Sequence, residues 1–144
     1  MVNVCFSSKS FRVLVADPQS EQRSLIEKDL NVFGYYRIAT ASSFRDLVTL
    51  THYSPDPGER FDLLIVNANL ITAAGINARD FCLNNPRLRH ALIYEPERQQ
   101  RWSKTFTERP RQQVRLIRTI DRAELMDFLL AIDPAFEADG SLFD

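Results

Sequence analysis

The sequence has little cysteine, histidine or glycine, and each shortage removes a class of function. Cys5 and Cys82 are the only cysteines in 144 residues, too few and too far apart for a disulfide framework. His52 and His90 stand alone, without a second histidine or cysteine at a ligand spacing, so no metal site is expected. Gly34, Gly58, Gly75 and Gly140 are each isolated, which rules out a glycine-rich phosphate loop. No apolar run approaches the roughly 20 residues that span a bilayer. The opening MVNVCFSSKSF lacks the basic start and apolar stretch of a secretory signal, so a cytoplasmic location without membrane contact is the expectation. Ser7-Ser8 and Ser42-Ser43 have no paired base, and no nucleophile–base–orienter set can be assembled by spacing. The chain is therefore expected to be neither an enzyme nor a cofactor protein.

What is present is the composition of one ordinary domain, 44% apolar and 26% charged, with a net charge of −1 that predicts no general attraction to nucleic acid. Short apolar runs alternate with longer amphipathic stretches, the pattern of a parallel sheet covered by helices. Strands are expected at 11–16 (FRVLVA), 36–40, 63–66 (LLIV), 91–94 (ALIY) and 114–117. The first helix is expected to start at a Ser20 cap and stop at Gly34. A second should follow Ser43, with Asp46 in a capping-box spacing, and a third should cover 73–84. Pro96 suits the first turn of a fourth, and Asp121 with Glu124 caps a fifth that runs to about 133. Residues 1–10 read as an extension, 11–133 as the domain, and 134–144 as a tail or linker. The fold expected is α/β, a doubly wound five-stranded parallel sheet flanked by helices.

In such a sheet, ligands gather beyond the carboxyl ends of the strands. The residues expected there are Asp17, Asn67, Glu95 and Arg118. FRVLVADPQ, FDLLIVNANL and RLIRTIDRAEL, in that order and spacing, resemble the receiver domain of two-component response regulators, whose fold is flavodoxin-like. The resemblance implies a pocket for aspartyl phosphorylation, and this sequence departs from it throughout. Asn67 stands at the acceptor position, where a neutral amide cannot form an acyl phosphate. Pro18 replaces the second acid of the opening pair. Glu95 replaces a small hydroxyl residue, Arg118 the lysine, Thr119 the proline and Arg115 the aromatic switch residue. Asp62 precedes LLIV, lies at the opposite strand end and is not a displaced acceptor. The altered pocket suggests either a locked cluster of Asp17, Arg118, Asn67 and Glu95 or polar residues facing solvent beside a vestigial cleft.

Residues 97–122 hold eight cations against three acids, +5 in a chain whose remainder carries −6. Arg98, Arg101, Trp102, Lys104, Arg115 and Arg122 form a candidate interaction face, read either as a partner surface or as a solvated helix with Trp102 in the core. Leu125, Phe128, Leu129 and Ile132 on the last helix are candidates for a dimer face or for core packing. These features point to a phosphorylation-independent pseudo-receiver. It would act as a protein-interaction or dimerisation module in bacterial signalling, either the N-terminal domain of a transcription regulator or a free-standing adaptor, without binding nucleic acid itself. The alternative is a sensor of a nucleotide or other anion on the arginine-rich face.

Overall fold

Strand β1, Arg12–Ala16, is apolar at four successive positions because helices cover both of its faces. It lies inside a sheet with β2 (Arg37–Ala41), β3 (Phe61–Asn67), β4 (Leu88–Tyr94), β5 (Lys104–Phe106) and β6 (Val114–Ile117). The computed structural model describes residues 11–52, 60–97, 104–106 and 112–138. The strand order is β2-β1-β3-β4-β6-β5. Five strands run parallel in the doubly wound, flavodoxin-like order, and β5 adds an antiparallel strand at one edge.

Side-chain alternation divides the core in two. Val13, Val15, Leu63, Ile65, Leu92, Tyr94 and Ile117 face one side, covered by α1 (Ser20–Val32) and the long helix near the C-terminus. Leu14, Ala16, Leu64, Val66, Ala91, Ile93 and Val114 face the other, covered by α2 (Phe44–His52), α3 (Ala68–Thr72) and α4 (Ala78–Leu83). The last two helices are α5 (Arg122–Ile132) and α6 (Pro134–Ala138).

Several local expectations hold. Gly34 has φ 95° and ends α1 in the left-handed conformation. Ser43 Oγ accepts the Asp46 N–H at 3.1 Å, and Asp121 Oδ1 accepts the Glu124 N–H at 2.8 Å. Cys82 is buried in the second core, and burial pushes its thiol up to about 12.

Other expectations are corrected. Ser20 is the first residue inside α1 rather than its cap; Gln19 holds the cap position without a side-chain bond, because Asp17 fixes the chain there. The helix expected over 73–84 covers only 78–83, and another short helix, over 68–72, precedes it. α3 begins directly after the cap residue Asn67, Gly75 at φ 81° turns the chain, and Asn77 caps α4. The helix expected beyond Pro96 falls on residues 98–103, which lie outside the described residues, and Lys104 itself belongs to an edge strand. Lys104–Phe106 pairs there with the open backbone of β6.

Leu125, Phe128, Leu129 and Ile132 are all buried in this chain's own core, so they cannot form a dimer face. Their four positions are the inner stripe of α5.

Residues 134–138, read as the start of a tail or linker, instead form a helix that packs on the domain. Phe136 is 1% exposed, with its ring 5.5 Å from that of Phe33 and 6.0 Å from that of Tyr35. Tyr35 donates its hydroxyl to buried Asp133 at 2.6 Å. Phe136→Ala therefore removes a core side chain and should cost about 3–5 kcal/mol. Chemical denaturation measures this, and a loss under about 1 kcal/mol would mean α6 merely rests on the surface.

His90 lies buried on β4, where Nδ1 accepts the Gln113 N–H at 3.0 Å. The ring proton is then on Nε2, which has no hydrogen-bond partner among the described residues. Burial, followed by the charges of Arg89 and Arg60, lowers its pKa to about 4. The unfolded chain binds this proton near pH 6.5, so the neutral ring's contribution is whole above that pH. It is lost as pH falls towards 4, on the order of 3 kcal/mol. His90→Gln should flatten the pH dependence of stability in that window; an unchanged slope would show that other groups govern it.

Candidate functional site

β1 and β3 are neighbours from which the chain winds off in opposite directions, so a crevice opens beyond their carboxyl ends. Alternation decides which side chains reach it. Asp17 continues the face of Val13 and Val15, Asn67 that of Leu63 and Ile65, and Tyr94 that of Leu92. Asn67 and Tyr94 are also direct register partners across β3 and β4. Three polar groups are thus brought to one point by strand geometry alone.

Asp17 is 1% exposed, and both carboxylate oxygens are occupied. Oδ1 accepts the Gln19 N–H at 2.7 Å; Oδ2 accepts Asn67 Nδ2 at 3.1 Å and the Tyr94 hydroxyl at 2.5 Å. Its backbone is held too, since Asp17 N–H donates to the Ala41 carbonyl at 3.1 Å and Arg23 donates to the Asp17 carbonyl at 2.6 Å. Burial, then the hydrogen bond to Asp17 and its charge, raise the Tyr94 pKa far above that of an ordinary tyrosine. Tyr94 is therefore a neutral donor. Asn67 is committed on both sides, because its Oδ1 accepts the Asn69 N–H at 3.0 Å and so caps α3. Asn69 in turn donates to Glu97 at 2.5 Å.

Around this knot lies a cleft of about 480 Å³, lined chiefly by Pro18, Gln22, Asn69, Pro96, Glu97 and Thr119 above Asp17, Asn67 and Tyr94. Of the residues expected here, Asp17 and Asn67 are bonded and Pro18 is at the rim. Glu95 and Arg118 do not line it. Each is one residue beyond the last strand position, with the opposite parity to Tyr94 and Ile117. Arg118 Nε is buried without a hydrogen-bond partner among the described residues. The four-residue cluster expected from sequence is therefore corrected to Asp17, Asn67 and Tyr94. Tyr94 is not among the residues expected at the site, because it lies inside the strand rather than after it. Counting by twos along ALIY from Leu92 would have found it.

The candidate interaction face also divides. Arg98, Arg101 and Trp102 lie outside the described residues. Arg115 points to α5, where it pairs with Asp127 at 2.7 Å and lies 4.9 Å over the Phe128 ring. Arg122 crosses to α1 and pairs with Asp29 at 2.9 Å. Asp62 stands at the far end of β3 and accepts the Arg12 N–H at 2.8 Å. Among the described residues, no group of three or more His, Cys, Asp or Glu could hold a metal ion, and no helix is long and apolar enough to cross a membrane.

No family model and no curated protein matches the sequence. A solved structure described as a yeast Spc42 trimeric coiled coil, amino acids 181–211, in fusion is similar to it. The identity is 15% and the TM-score 0.58, over 92% of this chain and 83% of that one. At that identity the likeness concerns fold alone.

Asn67→Asp tests the knot. It places a second carboxylate about 3 Å from Asp17 and removes a donor, so one of the pair must stay protonated. A folded pKa raised in this way favours the variant at low pH. It should be about 2 kcal/mol or more less stable than wild type at pH 7, with the gap closing as pH falls towards 4. Equal stability at every pH would remove the knot from the account.

Proposed function

We propose that this chain is a phosphorylation-independent, receiver-like domain that works by binding protein partners. The observation that carries the reading is the buried carboxylate of Asp17, both of whose oxygens accept hydrogen bonds from the protein. In receivers, by the resemblance of the three strand motifs, this position serves a hard cation, which needs free oxygen ligands. Here Tyr94, Asn67 and Gln19 occupy those oxygens. An amide stands at the position from which an acyl phosphate would be made, and its two ends are bonded to Asp17 and to α3. With neither nucleophile nor metal seat, the domain carries a fixed shape instead of a phosphorylation switch. That suits a cytoplasmic, non-enzymatic regulatory or dimerisation module of bacterial-type signalling, alone or joined to a transcription effector. The alternative of an anion sensor rests on Arg98, Arg101 and Trp102, which lie outside the described residues.

Incubation with acetyl phosphate and magnesium, followed by intact-mass analysis, tests this directly. The expected result is an unmodified mass. A hydrolysable gain of one phosphoryl group would overturn the reading and place the acceptor elsewhere than Asn67.

A further inference from the structure

We infer that α1 carries a self-complementary surface through which two copies of this chain pair about a two-fold axis. This rests on the reading of the chain as an interaction module and supplies the surface for it. Four large apolar side chains among the described residues are exposed, and three of them belong to α1 or the turn after it: Leu25 at 56%, Val32 at 51% and Tyr36 at 57%. They are not the helix's core stripe, because Ile26 and Leu30 already fill the inner face. At 3.6 residues per turn, Glu21, Leu25, Lys28 and Val32 fall within an arc of about 60° on the outer face.

The occupant follows from the charges. Glu21 and Lys28 are exposed, and neither makes an ion pair or hydrogen bond among the described residues. They stand seven residues apart, about 10 Å along the axis, with Leu25 between them. When a second α1 lies antiparallel and the two-fold passes beside Leu25, each Glu21 comes level with Lys28 of the other copy. The two leucines then meet at the centre. The depression there, about 340 Å³, is lined by Ser20, Glu21, Ser24, Leu25 and Lys28, and its serines allow close approach. One helix thus supplies both halves of the complement, as an isologous dimer requires. The arginines of β6 and α5 differ, since Arg115 and Arg122 already have acidic partners inside the chain.

Sedimentation equilibrium of the full chain, from low micromolar to sub-millimolar concentration, tests the inference. Wild type should show a concentration-dependent dimer. Glu21→Lys and Lys28→Glu should each raise the dissociation constant about ten-fold or more, because two attractions become two repulsions. An equimolar mixture of the two variants should dimerise again, since each then meets its opposite charge. Leu25→Lys should be monomeric with an unchanged circular dichroism spectrum, as expected at an exposed site. A wild-type monomer across the range overturns the inference, as does a dimer indifferent to both reversals. Neither result touches the phosphorylation test, whose failure would sink the pseudo-receiver reading and leave these masses as they are.

Discussion

A carboxylate taken out of water must recover from the protein the hydrogen bonds it has lost, or its burial costs several kcal/mol. Asp17 is such a group, and the carboxyl end of the sheet is arranged around that demand. Its three donors come from the backbone at the start of α1, the end of β3 and the end of β4. Strand register and side-chain parity deliver the two side-chain donors, so a slip of one residue in β3 or β4 would turn them away. One buried charge therefore ties together the three central strands and the entry to the first helix. The capping of α3 depends on it as well, because Asn67 presents its oxygen to Asn69 only while its nitrogen faces Asp17.

The same arrangement fixes what the cleft can do. A hard cation taking Oδ2 of Asp17 would have to displace the Tyr94 hydroxyl, and no titration at ordinary pH does this, because burial and Asp17 keep the phenol protonated. Asn67 cannot swing towards a ligand without uncapping α3 and removing a donor from Asp17. Every member is held by at least one other, so none can turn away without breaking a bond made by its neighbour. A switch needs a bistable element that a ligand or modification biases. On the reading proposed above, the domain therefore signals by presence and by surface.

The sheet was legible from the sequence because its strands are buried on both faces and announce themselves as unbroken apolar runs. FRVLVA, LLIV and ALIY needed no context. The terminal features with a local mechanism, Gly34, Ser43 with Asp46 and Asp121 with Glu124, were legible for the same reason. What was not legible depended on distant partners. Phe136 looks like a tail residue until Phe33 and Tyr35 are seen to wait for it. The short strand Lys104–Phe106 exists because β6 offers it an edge. Asp17 and Asn67 stand at strand ends with the parity that faces the crevice, whereas Glu95 and Arg118 stand at strand ends with the opposite parity. Parity, more than proximity to a strand end, marks the site, and it includes Tyr94.

Local charge in the sequence is likewise not charge on the surface. The segment 97–122 carries +5, yet two of its arginines are already paired with acids of other elements. Arg115 is the stronger case, with 15% of its side chain exposed and its guanidinium over Phe128. The Arg122–Asp29 pair is more open, and such pairs contribute about 0–1 kcal/mol. Their more secure effect is to hold α5 against β6 and α1 and to subtract their charge from whatever approaches. α1 has no such arrangement for Glu21 and Lys28. A helix anchored by Ile26 and Leu30 inside and by Asp17 at its start, with apolar and unpaired charged groups outside, is a rigid platform. Rigidity before association lowers the ordering cost of binding, so a small surface can suffice.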